Sequence, residues 1–121
     1  MNSIQLIGRL TADPELRTTN GGTPVCTIRL AVPRRPRSED PTPAPVYISV
    51  VTYGAQGEAV ATHMVKGRRV AVTGRLEYRE WTTDEVRHSL HEVIAQDVTF
   101  LDAPPKAPTA TYAAGDFDEP F

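Results

Sequence analysis

The sequence predicts an all-β chain wrapped around one core, with a single short helix between its third and fourth strands. Three observations carry this. Five runs read as strands, by period-two alternation of apolar and polar residues in the first two and by β-branched and aromatic content in the third. Clusters of turn formers separate those runs. Only one stretch, Glu58 to Lys66, spaces its apolar residues as a helix does.

The first run, Ile4 to Leu10, sets Ile4, Leu6, Gly8 and Leu10 against Gln5, Ile7 and Arg9. Asp13-Pro14 breaks it, and Thr18 to Pro24, dense in turn formers around Asn20-Gly21, reverses the chain. Val25 to Val32 is a second strand, with Cys26, Ile28 and Leu30 on one face and Thr27 and Arg29 on the other. From Pro33 to Pro45 five prolines stand among Arg, Ser, Glu and Asp, a composition that cannot pair in a ladder and forms a long exposed loop. Val46 to Tyr53 is a third strand, rich in β-branched and aromatic residues, which Gly54 ends. In the helix Val60 and Met64 lie four apart, and Lys66-Gly67 reads as its C-terminal cap. Arg69 to Trp81 is a fourth strand with Gly74 at a bulge or bend, Thr82 to Glu85 a polar reversal, and Val86 to Leu101 a long fifth strand interrupted near Gln96-Asp97. The tip of this last hairpin, beyond Tyr78 to His88, projects from the body.

Five strands with one helix between the third and fourth is the order of the OB-fold, a five-stranded Greek-key barrel whose faces and loops bind oligonucleotides or oligosaccharides. The 121 residues divide into this domain over 1–102, a short disordered linker over 103–115 and an acidic end over 116–121. No apolar run is long enough to span a membrane and no secretory leader is present, which points to the cytoplasm. Cys26 stands alone, so no intramolecular disulfide can form and a buried thiol is its expected role. Neither a metal nor a cofactor is expected.

Net charge is −2, yet residues 1–102 balance at 12 basic against 12 acidic side chains, and the excess acid lies in the tail. The cations cluster at Arg34, Arg35 and Arg37, and again at Lys66, Arg68, Arg69, Arg75 and Arg79. On the fourth strand Arg75, Glu77, Arg79 and Trp81 share one side and Leu76, Tyr78 and Glu80 the other. Guanidinium groups beside an indole suit a nucleic acid: the cations neutralise phosphates while the ring stacks on an unpaired base. A half-solvated strand with one packed Trp is the plainer alternative. The chain closes with Asp116, Phe117, Asp118, Glu119, Pro120 and Phe121, acids interleaved with aromatics, a composition suited to docking on protein partners.

These residues resemble the bacterial single-stranded DNA-binding proteins from about Asn2 to Leu101, and again at the tail. The resemblance rests on Ile7 to Leu10, Asp13 to Arg17, Asn20 to Gly22, Ile28 to Ala31, Lys66-Gly67, Gly74 to Leu76 and Arg79 to Trp81, in order and at matching spacing. It implies a homotetramer of OB-folds that wraps single-stranded DNA without reading its sequence, associated with the nucleoid. It also implies a tail that docks replication, repair and recombination enzymes. Tyr47, Tyr53 and Trp81 match the family's base-stacking aromatics, and Lys66 and Arg79 its phosphate-binding cations. Arg68, Arg69 and Arg75 are added from strand and patch geometry, and Arg34, Arg35 and Arg37 from charge alone. Pro36 falls where the family often carries a Trp. Ser3, Ser49, Ala55 and Glu77 stand where better-known members place basic residues, so weaker and more salt-sensitive binding per subunit is expected. Ile48 holds a position that bears on subunit contacts in the family. The short linker and these departures look like an accessory-type member.

Two other function classes are weighed against this. Catalysis lacks a nucleophile, carboxylate pair or phosphate loop at usable spacing, and His63, His88 and His91 are scattered. An OB-fold that acts only as a protein-interaction module would leave Trp81 unresponsive to nucleic acid. Single-stranded RNA satisfies the same stacking and phosphate contacts.

Overall fold

In the computed structural model, which describes residues 1–102, six strands and one helix follow in the order β1 (Ile4–Leu10), β2 (Glu15–Thr18), β3 (Pro24–Val32), β4 (Val46–Tyr53), α1 (Gly54–His63), β5 (Arg69–Thr83) and β6 (Val86–Phe100). The linker and acidic end expected over 103–121 lie outside the described residues.

The strands form one sheet in the order β1-β5-β6-β4-β3-β2, closed on itself where β1 also pairs with β3 at Arg9↔Ala31 and Leu10↔Leu30. All pairs are antiparallel except β4 with β6, where Ser49, Val50 and Val51 lie beside Glu92, Val93 and Ile94. This is the expected Greek-key barrel, with α1 bridging β4 and β5. Its interior is filled by Cys26, Ile28 and Leu30 from β3, the face that alternation marked, together with Val50 from β4, Val70 and Val72 from β5 and Val93 from β6, with Val60 and Met64 closing one end. Burying such side chains contributes about 1.5–3 kcal/mol each, which sets the register because a one-residue slip would turn every one outward.

Gly74 sits at the bulge, as expected. The β5–β6 register shifts between Thr73, opposite Asp97, and Gly74, opposite Ala95, so Gln96 is the extra residue. A Cβ at position 74 would collide with the Ile94 carbonyl. The expected interruption of the last strand is therefore this bulge, and β6 runs on through it to Phe100. Past Gly74 every β5 residue is exposed, so the hairpin leaves the barrel and turns at Asp84-Glu85, both at positive φ (51° and 66°). That is the type I′ geometry that matches strand twist.

Three details differ from the sequence reading. A sixth strand, β2, pairs Glu15–Thr18 with Pro24–Thr27; all four residues are exposed, so no apolar alternation marks it, and the ladder alone holds it. The helix starts and stops earlier than Glu58 to Lys66, because Met64 is already extended, with its N–H bonded to the Val60 carbonyl. Lys66-Gly67 is accordingly not a helix cap. Gly67, at φ 91°, turns the chain toward β5 and donates its N–H to the Leu10 carbonyl at 2.8 Å.

β1 bonds to β5 along one edge but meets β3 only at its last two residues. Its other edge, from Ile4 to Gly8, is open among the described residues, with Ile7 half exposed beside it.

Candidate nucleic-acid interface

The odd-numbered positions of β4, and those of β5 beyond Gly74, point away from the core, and pairing lays them on one outer face with their neighbours on β3 and β6. Register sets Tyr47, Ser49, Val51 and Tyr53 beside Ala31, Arg29, Thr27 and Val25 on one flank, and Ser49 beside Glu92 on the other. Leu90 and His88 of β6 are in turn opposite Arg79 and Trp81. A groove of about 280 Å³ runs into this face between Tyr53, Val51, Leu90, Arg79 and Glu92, with Arg17 of β2 at its rim.

Three aromatic rings stand on the face with their surfaces open to solvent: Tyr47 at 51% exposure, Tyr53 at 48% and Trp81 at 39%. Exposed rings of this size are costly to leave in water, so a face carrying three of them is suited to a ligand that stacks. Each is braced. The Arg29 guanidinium lies 5.8 Å from the centre of the Tyr47 ring and donates to Ser49 Oγ at 3.3 Å. Arg79 lies 4.7 Å from the centre of the Trp81 ring, and His88 stacks on that indole at 5.3 Å with 19° between the planes. Arg79 is itself held by Glu92, whose Oε1 accepts from Nε at 3.3 Å and Nη2 at 3.2 Å.

Arg75 also lies on the outer face of β5, where its Nε meets Glu77 Oε2 at 2.9 Å. Arg34, Arg35 and Arg37 flank a shallow cavity of about 530 Å³ with Glu39 and Asp40, in the loop that joins Val32 to Val46 and so adjoins Tyr47. Lys66, Arg68 and Arg69 are elsewhere. They sit at the start of β5, where Arg68 and Arg69, with Arg9, surround Asp102 at 3.9, 3.5 and 3.5 Å. Arg69 is twelve residues from Trp81, up to about 40 Å of strand. The patch that composition suggested is thus two separate groups, and only Arg75 and Arg79 share the face with the indole.

Arg17 and Arg29 join the face without having been singled out in the sequence. The signal for Arg29 was present, since alternation on β3 put it opposite Cys26, Ile28 and Leu30; what sequence could not show is that β4 lies alongside and brings it to Tyr47. It supplies a cation beside Ser49, where the family resemblance had left one wanting. The reverse face of the hairpin carries Tyr78, whose hydroxyl donates to Glu80 Oε2 at 2.7 Å; that bond holds its phenol pKa above the ordinary value. Among the described residues no group of three metal-ligating side chains occurs, and no helix is long and apolar enough to cross a membrane.

Compared with known proteins, residues 1–101 match the Single-strand binding protein family. Single-stranded DNA-binding protein 3 of Clostridium acetobutylicum is 42% identical over 104 residues, covering 84% of this chain and 72% of its own. The single-stranded DNA-binding protein of Thermotoga maritima is 42% identical over 107 residues, 86% of this chain and 76% of its own. Among solved structures, a Plasmodium falciparum SSB complex with ssDNA superposes with a TM-score of 0.74 at 31% identity, over 84% of this chain and 96% of that one.

Proposed function

This chain belongs to the single-strand binding protein family, a non-enzymatic DNA-binding family, and from that premise we propose that it coats single-stranded DNA through the outer face of β4, β5 and β6. The observation that carries this is the convergence of Tyr47, Tyr53 and Trp81 with Arg17, Arg29 and Arg79 on one face. Unstacked bases lie on the rings and the cations displace counterions from the phosphates, which is tolerant of sequence because every base has a π-face. Arg75 and the loop arginines Arg34, Arg35 and Arg37 extend the path of the strand. Lys66, Arg68 and Arg69 lie off that path. The coat serves replication, repair and recombination on nucleoid DNA in the cytoplasm.

Two further parts of the reading go with it. The open edge of β1 from Ile4 to Gly8 supports assembly of copies into a homotetramer, since an unpaired strand edge with an exposed apolar side chain favours pairing with another strand. Asp116 to Phe121 recruits partner enzymes by presenting acids and aromatics together.

The test is a titration of Trp81 fluorescence with oligo-dT at several salt concentrations, against duplex DNA and a Trp81→Ala variant followed by anisotropy. Quenching by the single strand that weakens with salt, little response to duplex and a large loss in the variant are expected. No binding even at low salt would sink the reading and leave a scaffold that works through its tail.

A further inference from the structure

The groove beside Tyr53 contains a feature that general coating does not require. Glu92 is a carboxylate inside a face meant for a polyanion, and its side chain is only 9% exposed. Arg79 occupies one of its oxygens, Oε1, with two donors; among the described residues no donor reaches Oε2. An acceptor oxygen that no protein group engages in a groove lined by Tyr53 is left to water until a ligand arrives, and a ligand that brings a donor takes that water's place. Arg79 meanwhile offsets the charge, so the carboxylate can stay in the groove without repelling the strand outright.

What the ligand can bring is set by the shape of the groove. At about 280 Å³ it is smaller than the roughly 300–1,000 Å³ of sites for drug-sized molecules and admits one planar base. Tyr53 offers that base a face, Val51 and Leu90 an apolar floor, and Glu92 an acceptor at its edge. An ionised carboxylate accepts and never donates. It therefore favours bases with an exocyclic amino group, such as cytosine through N4 or adenine through N6. It disfavours thymine, whose pairing edge flanks its one N–H with two carbonyl oxygens.

We propose that this groove is a single-base site in which Glu92 selects amino-bearing bases, so that the coat, tolerant along most of the strand, has a preference at one position per subunit. The inference rests on the DNA-binding reading above and adds the chemistry of one contact.

The test compares short oligo-dC with the same strand built from the cytosine analogue that lacks the 4-amino group, pyrimidin-2-one, by anisotropy at fixed salt. Both are pyrimidines, which makes the amino group the principal difference. The wild-type protein should hold oligo-dC tighter by roughly ten- to a hundredfold, the worth of one hydrogen bond to a charged acceptor. In Glu92→Gln, which keeps the shape and an acceptor for Arg79 but places an amide in the groove, that ratio should fall to near one whatever happens to overall affinity. Equal binding of the two strands by wild type overturns the inference without any variant. A preference that survives in Glu92→Gln also overturns it, because the amino group is then read elsewhere. Binding of neither strand would overturn the underlying DNA-binding reading and this inference with it.

Discussion

Trp81 keeps 39% of its surface open although His88 and Arg79 both lie against it, so its partners position the ring without hiding it. Stacking is worth about 1–3 kcal/mol per base, so Trp81→Ala should weaken single-strand binding about 5- to 150-fold, read by anisotropy with oligo-dT. A loss below twofold would mean that the indole only braces the hairpin. Cys26 is the opposite case, a side chain with no surface at all. Burial pushes its thiol pKa up, with a hydrogen bond involving Thr52 pulling partly back. The folded chain thus holds that proton more tightly than the unfolded one. This contribution is fully present below the ordinary thiol value of 9.0 and is lost as pH rises above it toward the raised folded value. Denaturant unfolding at neutral and alkaline pH should show a stability drop in wild type that is smaller in Cys26→Ala, although that variant starts less stable because of the cavity it leaves. Both residues were legible from alternation alone, since position on a strand decides which face a side chain takes. The partners were not: that His88 stacks on Trp81, and that Glu92 secures Arg79, depends on the β5–β6 register.

The register of that hairpin is set at Gly74, which gives the bulge its consequence for the site. A β-carbon there meets the Ile94 carbonyl, so Gly74→Ala should force the two strands apart at the point where β5 leaves the barrel. We expect a loss of about 1–3 kcal/mol in urea unfolding, typical of overpacking where backbone must move. The displacement should carry along Arg79 and Trp81, weakening oligo-dT binding in protein that is still folded. An unchanged midpoint would show that the bulge can relax at no cost. The bulge was readable because a lone Gly in a strand pattern has few other roles. The helix boundaries were not, because Lys66-Gly67 carries the signature of a cap while in fact serving the following turn. β2 left no trace either: a strand that buries nothing has no hydrophobic pattern, and Glu15–Thr18 is held only by backbone pairing to β3.

At the scale of the whole molecule, a balance of 12 basic and 12 acidic residues over 1–102 conceals how few cations are free to meet phosphate. Arg68 and Arg69 are committed to Asp102, Arg75 to Glu77 and Arg79 to Glu92. On and beside the binding face, Arg17, Arg29, Arg34, Arg35 and Arg37 make no such ion pair among the described residues. Cations already paired with carboxylates have fewer counterions to displace, so the ion pairs argue for a modest salt dependence, against the greater salt sensitivity expected from the departures at Ser3, Ser49, Ala55 and Glu77. With about 0.7 logarithmic units per phosphate on a single strand, five free arginines set the slope of log K against log salt at no steeper than about −3.5 per subunit. Arg29→Gln should make it shallower by about 0.7 and loosen Tyr47 as well, whereas Arg69→Gln, at the Asp102 end, should change the slope by much less. The measurement is the oligo-dT affinity of each variant across a salt series. An equal change in the two would mean that the strand wraps past the start of β5, and that the two groups of cations, separate within one subunit, are joined by the path of the DNA.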